Sequence, residues 1–312
     1  AQFWSFANDV YTREEGERLF PLIAIGSATG AVTGAYAVKA LARVVGKSIE
    51  LWMLIAAAIL FVCMGLTRWV DRRERHRRSA SGFSPSPSPK DVPLPDPPIN
   101  KDGAFKMVLT QRYLLLMALM SLALNWVNTS GEFILGSLAR DAAIQVSGGD
   151  KAAEKAFIGQ FYANFFLYVN IAGMAMQFFV VSRIIKWFGV RIALFGLPLV
   201  ALGSYVTAAI IPKLSVVRWT KTAENALDYS LQNTASQALF LVTSREAKYK
   251  AKQAIDTLFV RLGDVMSAVL VGVLMEALKL NFRFFIYGVI ALVVAWLLIV
   301  FFVGRDYAAK VS

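Results

Sequence analysis

Six long apolar runs constrain the fold of this chain more than any other feature. They cover residues 19–38, 51–70, 113–131, 156–182, 192–212 and 284–304, and Arg68 is the single charged residue within them. A helix needs about 20 mostly apolar residues to cross a bilayer. Because backbone polar groups in lipid must be hydrogen-bonded within the chain, each run predicts a transmembrane helix.

Two further segments, at residues 216–241 and 254–278, carry more polar residues and lie between the apolar runs. We interpret them as spanning helices, because the charges of the loops alternate consistently only when both segments cross the bilayer. A pair of surface helices is the alternative left open by the sequence. The sequence therefore predicts an all-α membrane protein with about eight transmembrane helices.

Composition agrees with this class and disfavours several others. Hydrophobic residues make up 57% of the chain and charged residues 17%, with a mean hydropathy of +0.53, whereas soluble domains are about a quarter charged. Basic residues exceed acidic ones by 33 to 21, which here indicates loops at an anionic membrane surface and not nucleic-acid binding. Cys63 is the one cysteine and His76 the one histidine, so we expect no disulfide, metal, cofactor or histidine-based catalysis.

Loop charges predict the orientation of the spans. One set of alternate loops is rich in Lys and Arg, and by the positive-inside rule this set is cytoplasmic. It consists of Arg68, Arg72, Arg73, Arg75, Arg77, Arg78, Lys90, Lys101, Lys106 and Arg112, then Arg183, Lys186 and Arg191, then Arg245, Lys248, Lys250 and Lys252. The N-terminal segment and the tail at 305–310 lie on the same side in this arrangement.

Residues 79–98 have the composition of a linker. They are rich in Ser and Pro and lack hydrophobic periodicity, which is typical of an extended connection. Two predicted helices precede the linker and six follow it, as in the major facilitator fold, whose six-helix halves meet around a midplane site. We therefore predict the end of an N-terminal half at 1–70, a cytoplasmic linker at 71–107 and a C-terminal six-helix half at 108–312. The spans are then the fifth to the twelfth of twelve.

Glycines mark two places with special backbone requirements. Gly26, Gly30 and Gly34 share one helix face and favour the close approach of another helix backbone. Gly189, followed by Arg191, is similar to the end of the facilitator loop signature, although the aspartate of that signature is not present. A tight turn at Gly189 explains this pair equally well.

The stretch from Lys221 to Asp264 carries the polar residues that we expect to function within the membrane. Lys221, Glu224, Asp228 and Gln232 share one helix face, and Asn225, Tyr229 and Asn233 form an adjacent stripe. Glu224 and Asp228 repel each other when both are ionised, so they require a cation or a proton. Lys221 and Arg261 are the candidate counterions. Charges at membrane depth usually mark a solute or ion path, and a buried structural network is the alternative.

Arg261 and Asp264 are the main candidates on the following helix. Their spacing of three residues allows an ion pair within the helix, whereas a free guanidinium fork would suit a phosphate or carboxylate. Weaker candidates for a cavity lining are Asn128 and Glu132, near the outer end of the predicted helix 113–131, and Asn164 on the next helix.

Three segments together resemble a known family. They are AENALDYSLQNT at 223–234, SREAKYKAKQAIDTLFVRLGD at 244–264 and FWSFANDVYTREEGERLFPLIAIGSATGA at 3–31. The first two are similar to the ATP/ADP translocase family of plastids and intracellular bacteria, with the closer match to its broader bacterial branch, and the third resembles the segment that enters the fifth helix of the same family. The resemblance implies a twelve-helix, facilitator-like exchanger that carries ATP and ADP.

Two positions depart from the pattern of this family. Many relatives carry a basic residue where this chain has Ser236 and a proline where it has Val242. Loss of an intramembrane cation weakens the argument for a polyphosphate substrate. The chain has no GxxxxGK[ST] loop, so ATP would be transported and not hydrolysed.

The resulting hypothesis is a secondary transporter, and not an enzyme, that exchanges nucleotides or a related phosphorylated anion by alternating access in the lipid bilayer of a bacterial inner membrane. The alternative is a facilitator-type transporter of another small solute, coupled to protons through Glu224 and Asp228. A non-transporting membrane protein is the third possibility. We expect a small anionic solute as partner, no nucleic acid, and a monomer as a plausible state.

Overall fold

The computed structural model describes residues 2–45, 49–80, 103–279 and 281–311, and all regular structure in these ranges is helical. The α-helices are α1 (Gln2–Val10), α2 (Arg13–Val45), α3 (Ile49–Ala80), α4 (Ala104–Thr110), α5 (Arg112–Ser147), α6 (Lys151–Met176), α7 (Ser182–Ala193), α8 (Gly196–Ile210), α9 (Leu214–Leu227), α10 (Asn233–Ala238), α11 (Lys252–Ala254), α12 (Val260–Val271) and α13 (Phe282–Val311). This confirms the predicted all-α class.

Five helical stretches of the described residues are long and apolar enough to cross a membrane. They are Met53–Val70, Arg112–Ser147, Lys151–Ala193, Ala247–Met275 and Phe282–Val311. Each coincides with a predicted span. The predicted span 19–38 lies within α2, 192–212 contains the shorter apolar helix α8, and 216–241 is made of α9, α10 and the turns that join and follow them.

Two helices continue well beyond their predicted ends. Helix α5 runs on to Ser147, so Glu132 lies near its middle and not near its end, and that part of the prediction is wrong. Helix α3 likewise extends to Ala80. Apolar runs mark the part of a helix that contacts lipid, whereas the backbone hydrogen bonds of a helix continue into polar sequence. The predicted linker at 79–98 falls, from residue 81 onward, outside the described residues.

The chain divides into two compact units. One consists of Thr29–Lys101, and its described part is the second half of α2 together with α3. The other consists of Ala1–Ala28 and Asp102–Ser312 and holds the remaining helices. In this larger unit α5 packs against α6, α9, α12 and α13, and this position places its polar residues inside the bundle.

Within the larger unit, the first 28 residues are attached to the remaining helices by side chains from three distant segments. Gln177 donates through Nε2 to the Pro21 carbonyl at 2.9 Å, and Lys248 donates through Nζ to the Asn8 carbonyl at 2.8 Å. The Tyr307 hydroxyl donates to Glu17 Oε1 at 2.9 Å. These bonds satisfy polar groups at one end of the bundle and fix the entry of α2.

Five π-helical turns interrupt the α-helices, at Gln177–Val181, Asp228–Gln232, Ala247–Ala251, Ile255–Phe259 and Gly272–Ala277. A π-turn adds a residue to the helical turn and rotates the side chains that follow it, and such turns often occur at functional sites. Four of the five lie between Asp228 and Ala277. The polar stretch identified in the sequence is therefore also the part of the chain with the least regular helix geometry.

The glycines behave in two different ways. A Cβ atom built on Gly26, Gly30 or Gly34 meets no described atom within 4 Å, so the close helix contact expected at this stripe is not observed in the described part of the chain. At Gly263 on α12, by contrast, a Cβ would lie 2.6 Å from the Leu122 carbonyl oxygen of α5. Gly189 has φ +74°, which confirms the predicted turn.

Candidate functional site

A buried lysine organises the polar centre of the bundle. Lys221 on α9 is 2% exposed, and its Nζ lies 2.7 Å from Glu224 Oε1 and 2.7 Å from Asn128 Oδ1 on α5. Glu132 Oε1 is 3.9 Å away. A charge buried this deeply is tolerated only when it is paired and hydrogen-bonded, and Lys221 meets both conditions.

Glycine and tyrosine residues shape the space around this lysine. A Cβ on Gly131 of α5 would lie 2.8 Å from Lys221 Nζ and would clash with the Tyr205 hydroxyl. The Tyr205 hydroxyl, contributed by α8, lies 3.1 Å from Glu224 Oε1 and 3.1 Å from the Val127 carbonyl oxygen. The lysine therefore occupies a volume that only a glycine at position 131 leaves open.

A small cavity adjoins the ion pair. It is lined by Leu124, Val127, Asn128, Leu197, Glu224, Asp228 and Trp296. Its volume is about 10 Å³, which is enough for one water molecule. Glu224 Oε2 and Trp296 Nε1 are buried and have no hydrogen-bond partner within the described residues. Two of the residues that line the cavity therefore carry a buried polar atom without a partner, an acceptor on Glu224 and a donor on Trp296.

A second group of polar residues, Thr129 on α5 with Arg261 and Asp264 on α12, is more exposed than Lys221 and Glu224. Asp264 Oδ1 accepts from Thr129 Oγ1 at 2.7 Å, and Arg261 Nη1 donates to Asp264 Oδ2 at 3.2 Å. Glu132 Oε1 accepts from Asn225 Nδ2 at 3.0 Å. The Arg261 side chain is 79% exposed, and those of Glu132 and Asp264 are about one third exposed.

The structure separates the two candidate counterions. Lys221 pairs with Glu224, as one of the predicted arrangements requires. Arg261 does not contact Glu224 or Asp228 and pairs with Asp264 on its own helix, so its proposed role as their counterion is wrong. In both pairs the partners lie three residues apart on one helix, so their side chains are adjacent and pair with each other.

The predicted stripe does not continue past Asp228. Gln232 is buried and donates to Ser236 Oγ at 3.3 Å, and Asn233 Oδ1 accepts from Gln237 Nε2 at 3.4 Å, so neither joins the Lys221 cluster. Tyr229, expected beside buried Asn225, is 51% exposed. The π-turn Asp228–Gln232 interrupts the stripe, so side chains in and after this turn no longer follow the spacing of a regular α-helix.

Of the weaker candidates for a cavity lining, two lie at the Lys221 cluster and one does not. Asn128 and Glu132 join Lys221, whereas Asn164 is exposed on α6 and makes no hydrogen bond to the described residues. Within the described part of the chain, no group of three or more His, Cys, Asp and Glu side chains is arranged to hold a metal ion.

Sequence reasoning missed three residues. Tyr205 and Trp296 lie within apolar runs and give no signal in the sequence. Lys252, predicted as a loop charge, lies on α11 and is 0% exposed, so that prediction is wrong. Its Nζ donates to Gln237 Oε1 at 2.6 Å, lies 3.1 Å from Asp256 Oδ2 and sits 4.3 Å from the centre of the Phe240 ring. The signal available was its spacing of four residues from Asp256.

Comparison with protein families gives a match to the TLC ATP/ADP transporter family over residues 1–211. Searches of curated proteins and of solved structures found no match to this chain. The matched range includes the segment at 3–31 that suggested the family from the sequence, and the polar stretch from Lys221 onward lies beyond it. Since the match covers about two thirds of the chain, this protein belongs to the TLC ATP/ADP transporter family.

Proposed function

We propose that this integral membrane protein exchanges nucleotides of the ATP/ADP type, or a closely related phosphorylated anion, by alternating access. Its family supports nucleotide transport. Exchange requires a site that reaches each side of the membrane in turn and that binds the anion with fixed positive charge. Arg261 supplies that charge in our proposal.

The position of Arg261 carries the proposal. It lies midway along the 29-residue span Ala247–Met275, and its side chain is 79% exposed. An arginine at the centre of a span costs at least about 2.5–3.5 kcal/mol when it faces lipid. Because this cost disfavours contact with lipid, we infer that Arg261 faces a water-filled path, and an intramembrane arginine on such a path suits an anionic solute.

The hydrogen bonds of Arg261 leave it able to bind a solute. Within the described residues only Nη1 is used, in its bond to Asp264, so the rest of the planar fork has donors to offer. Two parallel donors match the oxygens of a phosphate better than a lysine does. Asp264 is held in turn by Thr129, and this bond fixes the orientation of the ion pair.

We further propose the architecture of a major facilitator-like transporter. In this arrangement residues 1–70 end an N-terminal half, 71–107 form a cytoplasmic linker and 108–312 form the C-terminal half, so that the spans are the fifth to the twelfth. The positive-inside pattern of the loops supports a cytoplasmic linker and C-terminus. A bacterial inner membrane is the location we propose.

One observation favours a second candidate, a proton-coupled transporter of another small solute. The buried cation Lys221 is fully committed to Glu224 and Asn128 and is not free to bind a phosphate. Position 236, basic in many members of the family, is a serine here. A solute with less negative charge than ATP would suit such a site.

Uptake of labelled ATP and ADP by proteoliposomes containing the full-length protein tests both candidates. For nucleotide exchange we expect uptake that requires unlabelled nucleotide inside the vesicles and that is lost in Arg261→Ala. Arg140→Ala is the matched control, because Arg140 is an exposed arginine on α5. Absence of nucleotide uptake by a correctly folded protein would contradict the first candidate, and equal loss in Arg140→Ala would show that Arg261 has no specific role.

A further inference from the structure

The charges at and next to the cavity do not balance. The cavity is lined by two carboxylates, the buried Glu224 and the half-buried Asp228, and the one cation next to them is the buried Lys221. Glu224 has its counterion at 2.7 Å, whereas the Asp228 carboxylate makes no hydrogen bond or ion pair with the described residues. Ionised together, the three groups carry one net negative charge inside an apolar bundle. One proton on Asp228 makes the set neutral, and neutrality lowers the cost of burial.

The chemistry of the cavity wall selects the occupant. Trp296 is 1% exposed, and its Nε1–H group has no acceptor in the described part of the chain. An N–H group repels a sodium ion but donates to a water molecule. Glu224 Oε2, which has no partner within the described residues, and the Asp228 carboxylate belong to residues of the same lining. With these acceptors a water in the cavity would have the two to four partners that are usual for a buried water.

We propose that the cavity between α5, α8, α9 and α13 holds one water molecule and one exchangeable proton on Asp228, so that this protein couples solute movement to protons and not to sodium ions. Proton uptake forms one O–H bond on Asp228 and breaks one on a hydronium ion, which leaves water. No other reactant takes part. The coupling of solute movement to protons rests on the proposed transport function, whereas the proton site on Asp228 does not.

The surroundings of Asp228 supply the other charges that act on it. Lys221 and Glu224 share its face, Glu132 approaches Lys221 from α5, and the Tyr205 hydroxyl lies against Glu224 from α8. Tyr229 follows Asp228 in the chain. Of these groups, only Lys221 favours the charged carboxylate, and it is already shared between Glu224 and Asn128. We therefore expect Asp228 to be protonated when the solution on the cytoplasmic or the external side of the membrane is acidic.

Tryptophan fluorescence of the purified full-length protein tests the proton site without substrate. The signal of Trp296 is isolated as the difference between the wild type and Trp296→Phe. We expect this signal to change between neutral and mildly acidic pH, and to be unaffected when sodium replaces potassium. Asp228→Asn, which mimics the protonated side chain, should stay fixed at the low-pH signal. Asp141→Asn, an exposed aspartate on α5, is the control and should titrate like the wild type.

Proteoliposomes with an imposed pH gradient test the coupling. We expect an inward proton gradient to raise the initial rate of solute uptake in the wild type and to have no effect in Asp228→Asn. A Trp296 signal that follows sodium, or that shows no dependence on pH, would overturn the proton site. A normal fluorescence titration together with a rate of uptake that does not depend on the pH gradient would overturn the coupling of uptake to protons. A normal titration without any nucleotide uptake would contradict the proposed substrate but would not contradict the proton site. Glu224→Gln provides a second variant if Asp228→Asn does not fold.

Discussion

Two buried lysines in this bundle have the same charge and similar burial but different surroundings. Lys252 is held by Gln237, Asp256 and the face of Phe240, and the carboxylate it meets is one third exposed. Lys221 is held by Glu224 and Asn128, and the carboxylate it meets is 4% exposed, with one oxygen unsatisfied beside a cavity. A fully satisfied buried charge is typical of a structural network, and an incompletely satisfied one is typical of a functional site.

The comparison shows that burial alone does not identify the charge that belongs to a functional site. Lys252 is the more completely buried of the two, yet neither Gln237 nor Asp256, the residues that hold it, has a buried side-chain atom without a partner in the described residues. The polar groups around Lys221 instead border space for a water and an unpaired carboxylate. The unsatisfied atoms, and not the exposed fraction, separate the two lysines.

Lys221→Met should have the largest effect on stability. It leaves Glu224 buried without a counterion, and removal of one partner from a buried pair costs about 3–5 kcal/mol. Thermal unfolding of the detergent-purified protein measures the loss. The double variant Lys221→Met with Glu224→Gln removes both charges and should recover a large part of the stability. Failure of the double variant to recover any stability would show that the lysine acts through packing.

Gly131→Ala tests whether the fit around Lys221 is tight. The added Cβ would lie 2.8 Å from Lys221 Nζ and would clash with the Tyr205 hydroxyl, and overpacking of this kind costs about 1–3 kcal/mol. Gly203→Ala on α8 is the control, since a Cβ there meets nothing within 4 Å. Equal melting temperatures for the two variants would mean that the centre of the bundle is not tightly packed.

Lys252→Met should destabilise the protein by about 1–3 kcal/mol, because Gln237 Oε1 loses its donor while the partly exposed Asp256 can regain water. The comparison predicts that the Trp296 fluorescence titration of this variant is unchanged. The loss of stability should therefore be smaller than in Lys221→Met. A shifted titration in Lys252→Met would remove the distinction between the two lysines.

Arg261→Ala should have the smallest effect on stability, at most about 1 kcal/mol, because its ion pair with Asp264 is largely exposed. Its effect on uptake of an anionic solute should be nearly complete. Folded yield and initial uptake rate, measured together, separate these expectations. If Asp264→Ala restores the uptake of Arg261→Ala in full, Arg261 belongs to an intrahelical ion pair and not to a solute site.

Local sequence predicted the helices well and their ends less well. The runs at 113–131 and 284–304 correspond to α5 and α13 because apolar length is a local property that the bilayer requires. The end of α5 was missed because helix hydrogen bonding continues past Gly131, where the polar Glu132 seemed to mark the membrane surface.

The sequence by itself determined the membrane class, most of the spans and the family. It also offered Lys221, a neighbour of Glu224 on one helix turn, as one of two candidate counterions. Only the tertiary structure decided that Trp296 and Tyr205 join this pair, since they come from distant apolar runs that carry no polar pattern. It also decided that Gln232 pairs with Ser236 and not with the Lys221 cluster, and that a π-turn changes the helix register at Asp228–Gln232, which residue spacing does not reveal. Contacts within one helix follow from periodicity, whereas contacts between helices depend on how their surfaces pack.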